Sequence, residues 1–199
     1  MPSGCTDSFN CPRVGWNIVD VMSAPVVHVV TPAHDLSMMQ NNSISEIYAS
    51  HILEHFSVSN IYRDYNNHSY SENELAKEDC ELCNVLKEWH RVLLPDGSGK
   101  IYLSVPDMII LGSILSDPKT SPGQLSEVIN MIFGAQKDKF DIHKMGYHWL
   151  HLKNILERFG FCNISNVSDF GELFNDCSLI KINERFISLN VIAYKCIAN

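Results

Sequence analysis

Three titratable side chains stand close together in residues 45–56, SEIYASHILEHF: His51, Glu54 and His55. A histidine can act as a general base near neutral pH, and removing a proton from a hydroxyl or amine helps a group transfer to oxygen or nitrogen. A further histidine, His143, lies in a hydrophilic stretch of the second half of the chain. His51, His55 and His143 are therefore the candidate general bases, although most of the nine histidines must have structural or surface roles.

The segment that carries these side chains changes its hydrophobic period near Ala49. Residues 45–50 are short, apolar and compatible with a strand, whereas Ile52, Leu53 and Phe56 follow helical spacing. This pattern predicts a strand that runs into a helix. Ligands of open α/β sheets bind outside the carboxyl ends of the strands, so Ser50 and the titratable residues after it are expected at a binding crevice.

The remaining periodic segments predict alternating strands and helices. VVHVV, for example, is an apolar run that is typical of a buried parallel strand. Capping and glycine signals mark the helix ends, and the antiparallel-compatible segment ISLNVIAYK comes last. Asp107 stands at the carboxyl end of the strand 100–105, where it could reach a substrate, but a cap for a following short helix is the commoner role. The predicted strands are 16–21, 26–30, 45–50, 100–105, 161–167 and 187–195, and the predicted helices are 71–94, 125–133 and 149–159.

Length and composition restrict the classes of protein. A chain of 199 residues with 45% hydrophobic content suits one domain, residues 1–199. The net charge of -8 makes nucleic acid an unfavourable partner, and no apolar run approaches the roughly 18 residues needed to span a bilayer. The first residues have neither a basic region nor an apolar core, so a cytoplasmic protein is expected.

The seven cysteines are an odd number without a compact framework, which predicts free thiols. Cys80 and Cys83 form one CxxC inside a helical pattern, where the two side chains share a face. A structural zinc site would need two more ligands at suitable spacing. No metal site is expected.

Several segments resemble one family when they are taken together. Residues 41–56, NNSISEIYASHILEHF, resemble the fourth strand and following helix of class I S-adenosylmethionine-dependent methyltransferases, in particular small type 11-like members. Residues 86–108 resemble the family's L-x-E-x-x-R-V-L-K-P-G-G helix and turn with its fifth strand. FGAQKDKFDIHKMGY, LERFGF and ISLNVIAYK also have counterparts there, in the same order.

The resemblance implies a Rossmann-like α/β fold: a mostly parallel open sheet of about six strands, helices on both faces and an antiparallel edge strand. The amino terminus departs from the family, because Ser3-Gly4-Cys5-Thr6 is all that corresponds to its glycine-rich loop. The first strand is thus either shortened or absent. Pro32 stands where the family has an adenine-contacting aspartate.

The resemblance also implies the contacts of the cofactor S-adenosylmethionine. Asp20 follows a predicted strand and would accept hydrogen bonds from ribose hydroxyls; its alternative role is that of a turn aspartate before Pro25. The implied cofactor contacts are Gly4, Cys5, Thr6, Asp20, Ala33, His34, Asp35, Leu36, Ala49, Ser50 and His51.

Two functions remain open at this point. The first is methyl transfer from S-adenosylmethionine to a small-molecule or glycan-type acceptor. The second is a non-catalytic relative that keeps the fold and acts as a binding or partner subunit. A sheet without its first strand would expose apolar surface, and a homodimer is one way to cover it.

Overall fold

The computed structural model describes residues 15–58, 80–171 and 177–197. In these residues the strands are β1 (Val19–Asp20), β2 (Val29–Val30), β3 (Glu46–Ser50), β4 (Lys100–Pro106), β5 (Phe161–Val167), β6 (Lys181–Ile182), β7 (Arg185–Phe186) and β8 (Ser188–Lys195). The α-helices are α1 (Glu81–Val92), α2 (Met108–Leu115), α3 (Pro122–Phe133) and α4 (Trp149–Arg158), and short 3-10 helices cover Leu53–His55 and Cys177–Leu179.

Four strands form the main sheet in the order β3-β4-β8-β5. β3 is parallel to β4, with Ala49 opposite Leu103, whereas β8 is antiparallel to both β4 and β5. β3, β4 and β5 therefore point the same way. Their carboxyl ends lie at the same end of the sheet as Ser188, the first residue of β8. β1 and β2 form a separate parallel pair.

The predicted α/β class with a Rossmann-like, mixed sheet is confirmed, but the position of the antiparallel strand needs a correction. β8 lies inside the sheet and not at its edge, because it forms ladders with β4 on one side and β5 on the other. Its residues are buried or half-buried throughout, as expected for an interior strand. The main sheet has four described strands where about six were expected, because β1 and β2 pair with each other.

The helices α1 and α4 cover the same face of the main sheet. Side chains that alternate along the strands, such as Leu103 of β4 and Val191 of β8, pack in one core with Leu86 of α1 and Leu156 of α4. Among the described residues, the helices that pack in this core thus lie on one face of the sheet, whereas helices on both faces were expected. Every helix in the described residues is too short or too polar to span a bilayer.

The opposite face of the sheet carries aromatic side chains. Phe170, which follows β5, makes edge-to-face contacts with Tyr48 of β3 and Tyr102 of β4, at ring-centroid distances of 5.8 and 5.6 Å. Phe170 and Tyr102 are both buried. An aromatic residue from the segment after β5 therefore closes this face where the expected layout has a helix.

A second, smaller core lies beside the sheet. Leu111 and Ile114 of α2 pack with Val128 of α3 and with Ile182 and Ile187 of the last hairpin. The structure starts α3 with a capping box of Ser121 and Gln124, three residues before the predicted start, and ends it at Gly134 as predicted. This second core fixes the end of α3 close to the carboxyl ends of the main strands.

The cysteine prediction is wrong for one pair, because Cys80 and Cys83 form a disulfide. Cys80 is the N-cap of α1 and has an extended backbone, and its sulfur accepts a hydrogen bond from the backbone N–H of Cys83. A side chain at the N-cap turns back over the third helical residue. The two sulfurs therefore meet at the start of the helix, whereas in mid-helix they would only share a face. Residues 71–79 of the predicted helix lie outside the described residues.

Candidate functional site

The site begins at a sharp turn directly after β3. His51 has a φ of 53°, in the left-handed region that non-glycine residues seldom adopt, and its backbone N–H still donates to Ser104 O at 2.8 Å. The 3-10 helix that follows brings Glu54 and His55 to the carboxyl end of the strand. The predicted strand-to-helix junction is confirmed, and a turn that costs on the order of 1 kcal/mol directs its polar residues to one place.

Glu54 is the centre of the site. Its side chain is fully buried, and neither carboxylate oxygen has a hydrogen-bond donor among the described residues. His51 Nδ1 lies 3.3 Å from Glu54 Oε1, an ion-pair contact whose geometry falls short of a hydrogen bond, and His143 Nε2 lies 4.0 Å from the same oxygen. The carboxylate is thus faced by imidazoles.

The histidines decide the ionisation of this carboxyl group. Burial by itself would raise the pKa of Glu54, but the contact with His51 and the charges of His51, His143 and His55 outweigh it, so the pKa lies below its usual value. Burial lowers the pKa of His143, against the opposing effect of Glu54. The ionised form of this buried carboxyl group therefore depends on the imidazoles around it.

His51 joins two strand ends. Its Nε2 lies 2.9 Å from the hydroxyl of Ser188, the first residue of β8, while its Nδ1 faces Glu54. Both ring nitrogens are therefore in polar contact, which fixes the ring at the crevice. The ring is thus held between a carboxylate and a hydroxyl group.

His143 reaches the site from the segment between α3 and α4. The backbone N–H groups of Lys144 and Met145 donate to the carbonyl of Glu54 at 2.7 and 3.1 Å, which attaches this segment to the 3-10 helix. The buried Tyr147 donates from its hydroxyl to Leu53 O at 3.1 Å. His143 and His55 then pack edge to face, with ring centroids 4.7 Å apart.

The structure thus brings together the three candidate bases, His51, His55 and His143. The sequence analysis placed Glu54 at the strand end but did not count it among the site residues, although an acid between two histidines was a usable signal. Ser188 could not have been found, because its contact depends on the internal position of β8.

Asp107, at the carboxyl end of β4, has a structural role. Asp107 follows β4 and caps α2, with its Oδ1 accepting the N–H groups of Ile109 and Ile110 at 2.8 and 3.3 Å. This confirms the capping role that the sequence favoured. The same residue bridges to Tyr147 through the backbone, so the two strand ends share the segment that carries His143.

The implied cofactor contacts lie elsewhere or are only partly described. Asp20 ends β1, and its Oδ1 accepts the N–H of Met22 at 2.8 Å in a tight turn. Ala49 is buried against the core and Ser50 ends β3, next to His51. Gly4, Cys5 and Thr6 lie outside the described residues.

The segment from Ala33 to Leu36 is held on α1. The Trp89 indole N–H donates to Ala33 O at 3.0 Å, and Arg91 donates to Leu36 O at 2.9 Å. His34 and Asp35 are exposed beside these anchors, and hydrogen bonds from Ser37 lower the pKa of Asp35. The turn has a fixed position, with two polar side chains on its outer surface.

Comparison with solved structures finds several methyltransferases to which this chain is similar. A structure of a methyltransferase domain of the citrinin polyketide synthase is 13% identical, with 92% of this chain and 39% of that chain covered and a TM-score of 0.48. A SAM-dependent methyltransferase of Archaeoglobus fulgidus is 17% identical, with 89% and 74% covered and a TM-score of 0.45. One of Methanosarcina mazei is 15% identical, with 90% and 81% covered and a TM-score of 0.42.

Three of the matched structures are longer than this chain. The chain covers 45%, 39% and 37% of three of the matched structures. No protein-family profile matches the chain, and no curated protein does.

Proposed function

We propose that this protein is an S-adenosylmethionine-dependent methyltransferase that acts on a small-molecule or glycan-type acceptor. The observation that supports it most is the placement of His51, Glu54 and His143 at the carboxyl ends of β3 and β4, the edge of a Rossmann-like sheet at which ligands bind. The pKa of a buried carboxyl group that is shifted by specific neighbours is a further mark of functional sites.

The residues that would hold the cofactor fit in part. Asp20 stands at the end of a strand that is parallel to its neighbour, and a carboxylate has acceptor capacity beyond the one N–H of Met22. It would accept the ribose hydroxyls. The turn from Ala33 to Leu36, fixed on α1, would border the adenine with His34 and Asp35.

The protein's own part in the reaction is positioning and proton transfer. S-adenosylmethionine supplies an activated methyl group, so the acceptor must mainly be oriented and relieved of its proton. His51 would take that proton. Its contact with Ser188 holds the ring, and the ionised Glu54 at 3.3 Å would stabilise the imidazolium that forms.

The alternative is a binding or partner subunit with the same fold. One observation favours it: among the described residues β3 is an edge strand, paired with β4 on one side. An edge strand offers unpaired backbone groups to another chain, and a homodimer through this edge is the form that this alternative takes.

Calorimetry with S-adenosylmethionine and S-adenosylhomocysteine separates the two. We expect the wild type to bind both, and Asp20→Ala to lose about 1.5 to 3 kcal/mol of binding free energy, or roughly 10- to 150-fold in affinity, as for hydrogen bonds to a charged group. Asp96→Ala is the matched control, because the Oδ1 of Asp96 also accepts the N–H two residues on, in an exposed turn.

The outcomes have different meanings. A wild type that binds neither compound removes the enzyme proposal and leaves the partner subunit. Equal affinities of the wild type and Asp20→Ala remove the ribose role of Asp20 alone. Transfer of labelled methyl groups to a panel of small hydroxyl and amine acceptors would then identify the substrate class.

A further inference from the structure

The cluster around Glu54 has the donor set of a metal site. One donor atom each from Glu54, His55 and His143 lies within 4.8 Å of the other two. Zinc bonds to nitrogen and oxygen are about 2.1 Å long, so the donors of a tetrahedral site are about 3.4 Å apart. Side-chain shifts of about 1 Å would bring these three atoms onto one ion.

The Nδ1 atoms of both histidines are in contact with backbone carbonyls. His55 Nδ1 lies 3.2 Å from Ile142 O, and His143 Nδ1 lies 2.8 Å from Met131 O. A carbonyl oxygen can only accept, so each Nδ1 carries a proton, and the nitrogen that a metal ion could bind is Nε2. A backbone carbonyl behind the imidazole is the usual outer contact of a metal-bound histidine, because it fixes both the ring and the tautomer.

The carboxylate of Glu54 gives an independent indication. It is fully buried, and neither oxygen receives a hydrogen bond among the described residues. A buried charged group that lacks hydrogen bonds is costly unless a cation completes it. The nearest ring nitrogens, His51 Nδ1 at 3.3 Å and His143 Nε2 at 4.0 Å, face one of the oxygens without hydrogen-bonding to it.

We propose that Glu54, His55 and His143 bind one divalent transition-metal ion, of which Zn²⁺ is the representative. Imidazole nitrogen suits zinc, and two histidines with one carboxylate leave a position open in a four-coordinate site. His51 is not one of the three ligands, but its Nδ1 lies 3.3 Å from Glu54 Oε1. This differs from the sequence-based expectation of no metal site, because His143 reaches the other two only through the fold.

The test uses the full-length, tag-free protein, freed of metal with a chelator and dialysed against Zn²⁺. We expect one equivalent per chain in the wild type, and an affinity lower by about 100-fold or more in Glu54→Gln and His143→Asn. His34→Asn, at an exposed histidine away from the cluster, should bind as the wild type does.

Substitution with Co²⁺ identifies the ligands. Nitrogen and oxygen ligation gives visible absorption without the strong near-ultraviolet charge-transfer band that thiolates add, so binding by the seven cysteines is recognised directly. A thiolate-type spectrum, less than one equivalent of zinc in the wild type, or unchanged affinity in the cluster variants would each overturn the proposal.

Folding must be checked for each variant by circular dichroism. His55→Asn is the second line of test, because His55 is only half-buried and its replacement disturbs the core less than that of Glu54. If Glu54→Gln fails to fold, weakened binding in a folded His55→Asn supports the site, and wild-type binding there overturns it. The measurement needs no S-adenosylmethionine, so its failure leaves the proposed methyl transfer untouched.

Discussion

Gly134 controls how closely the segment that carries His143 can approach α3, and its replacement tests that arrangement. Gly134 ends α3 with a φ of 78°, and a Cβ at this position would lie 2.3 Å from Asp141 O and 3.1 Å from His143 N. Ordinary contact begins near 3.4 Å. Because the nearest atom belongs to the backbone, Gly134→Ala must move the chain by about 1 Å and cannot be accommodated by a side-chain rotation.

The expected loss follows from two terms. The left-handed backbone costs an alanine about 1 to 2 kcal/mol. Moving residues 141–143 disturbs three hydrogen bonds: Gln136 N–H to Asp141 O, His143 N–H to Phe133 O, and His143 Nδ1 to Met131 O. Losing two of them adds about 2 kcal/mol. Gly134→Ala should therefore lower the free energy of unfolding by about 3 to 4 kcal/mol.

Gly112 provides the matched control for the same chemical change. It lies inside α2, and a Cβ built there meets no atom within 4 Å. Gly112→Ala should raise stability by about 1 kcal/mol through helix propensity. Urea unfolding followed by circular dichroism measures both variants. A destabilisation by Gly134→Ala of less than about 1 kcal/mol would show that the 141–143 segment does not pack on the end of α3 as described.

Two further predictions concern other parts of the fold. Phe170→Ala should lower the free energy of unfolding by about 3 kcal/mol, because it removes a buried ring from two edge-to-face contacts. Phe186→Ala, at a residue that is 45% exposed, should lower it by less than about 1 kcal/mol. Equal effects of the two substitutions in urea unfolding would contradict the packing of Phe170 on the sheet. Hydrogen bonds from Arg91, against the effect of burial, lower the pKa of Glu88. The stability that ionised Glu88 contributes is therefore present above its unfolded pKa near 4.3 and is lost as the pH falls through the lower folded pKa. The difference in unfolding free energy between the wild type and Glu88→Gln should accordingly be constant above about pH 5 and shrink towards pH 3, and a difference that grows with acid would refute this assignment.

The parts of the fold that the sequence predicted are those with local signals. The helix that ends at Gly134, the cap at Asp107 and the junction at Ala49 each depend on residues a few positions apart, and the structure confirms all three. The internal place of β8 depends on pairing with β4, about 90 positions earlier in the chain. Hydrophobic alternation in β8 could not distinguish an edge from an interior position, because both suit the same apolar pattern.

The site residues also divide into those with a local sequence signal and those whose contacts depend on the fold. His51 and His55 were predicted at a strand end because their own segment shows the change of period. His143 was a candidate by residue type alone, and its meeting with Glu54 depends on backbone hydrogen bonds from Lys144 and Met145. The disulfide of Cys80 was missed because the helix was expected to start earlier, which would place this cysteine in mid-helix.

Glu54 belongs to both proposals: it is the partner of His51 in the proposed methyl transfer, and it is a ligand of the proposed metal ion. Glu54 directs one oxygen toward both His51 and His143, so a cation bound by Glu54, His55 and His143 would draw the carboxylate away from His51. His51 would then lose its partner at Nδ1 and keep the contact of Nε2 with Ser188. The ion and the His51 imidazole thus share one carboxylate oxygen, so substitution of Glu54 affects both proposals, whereas substitution of His143 removes a metal ligand without removing the partner of His51.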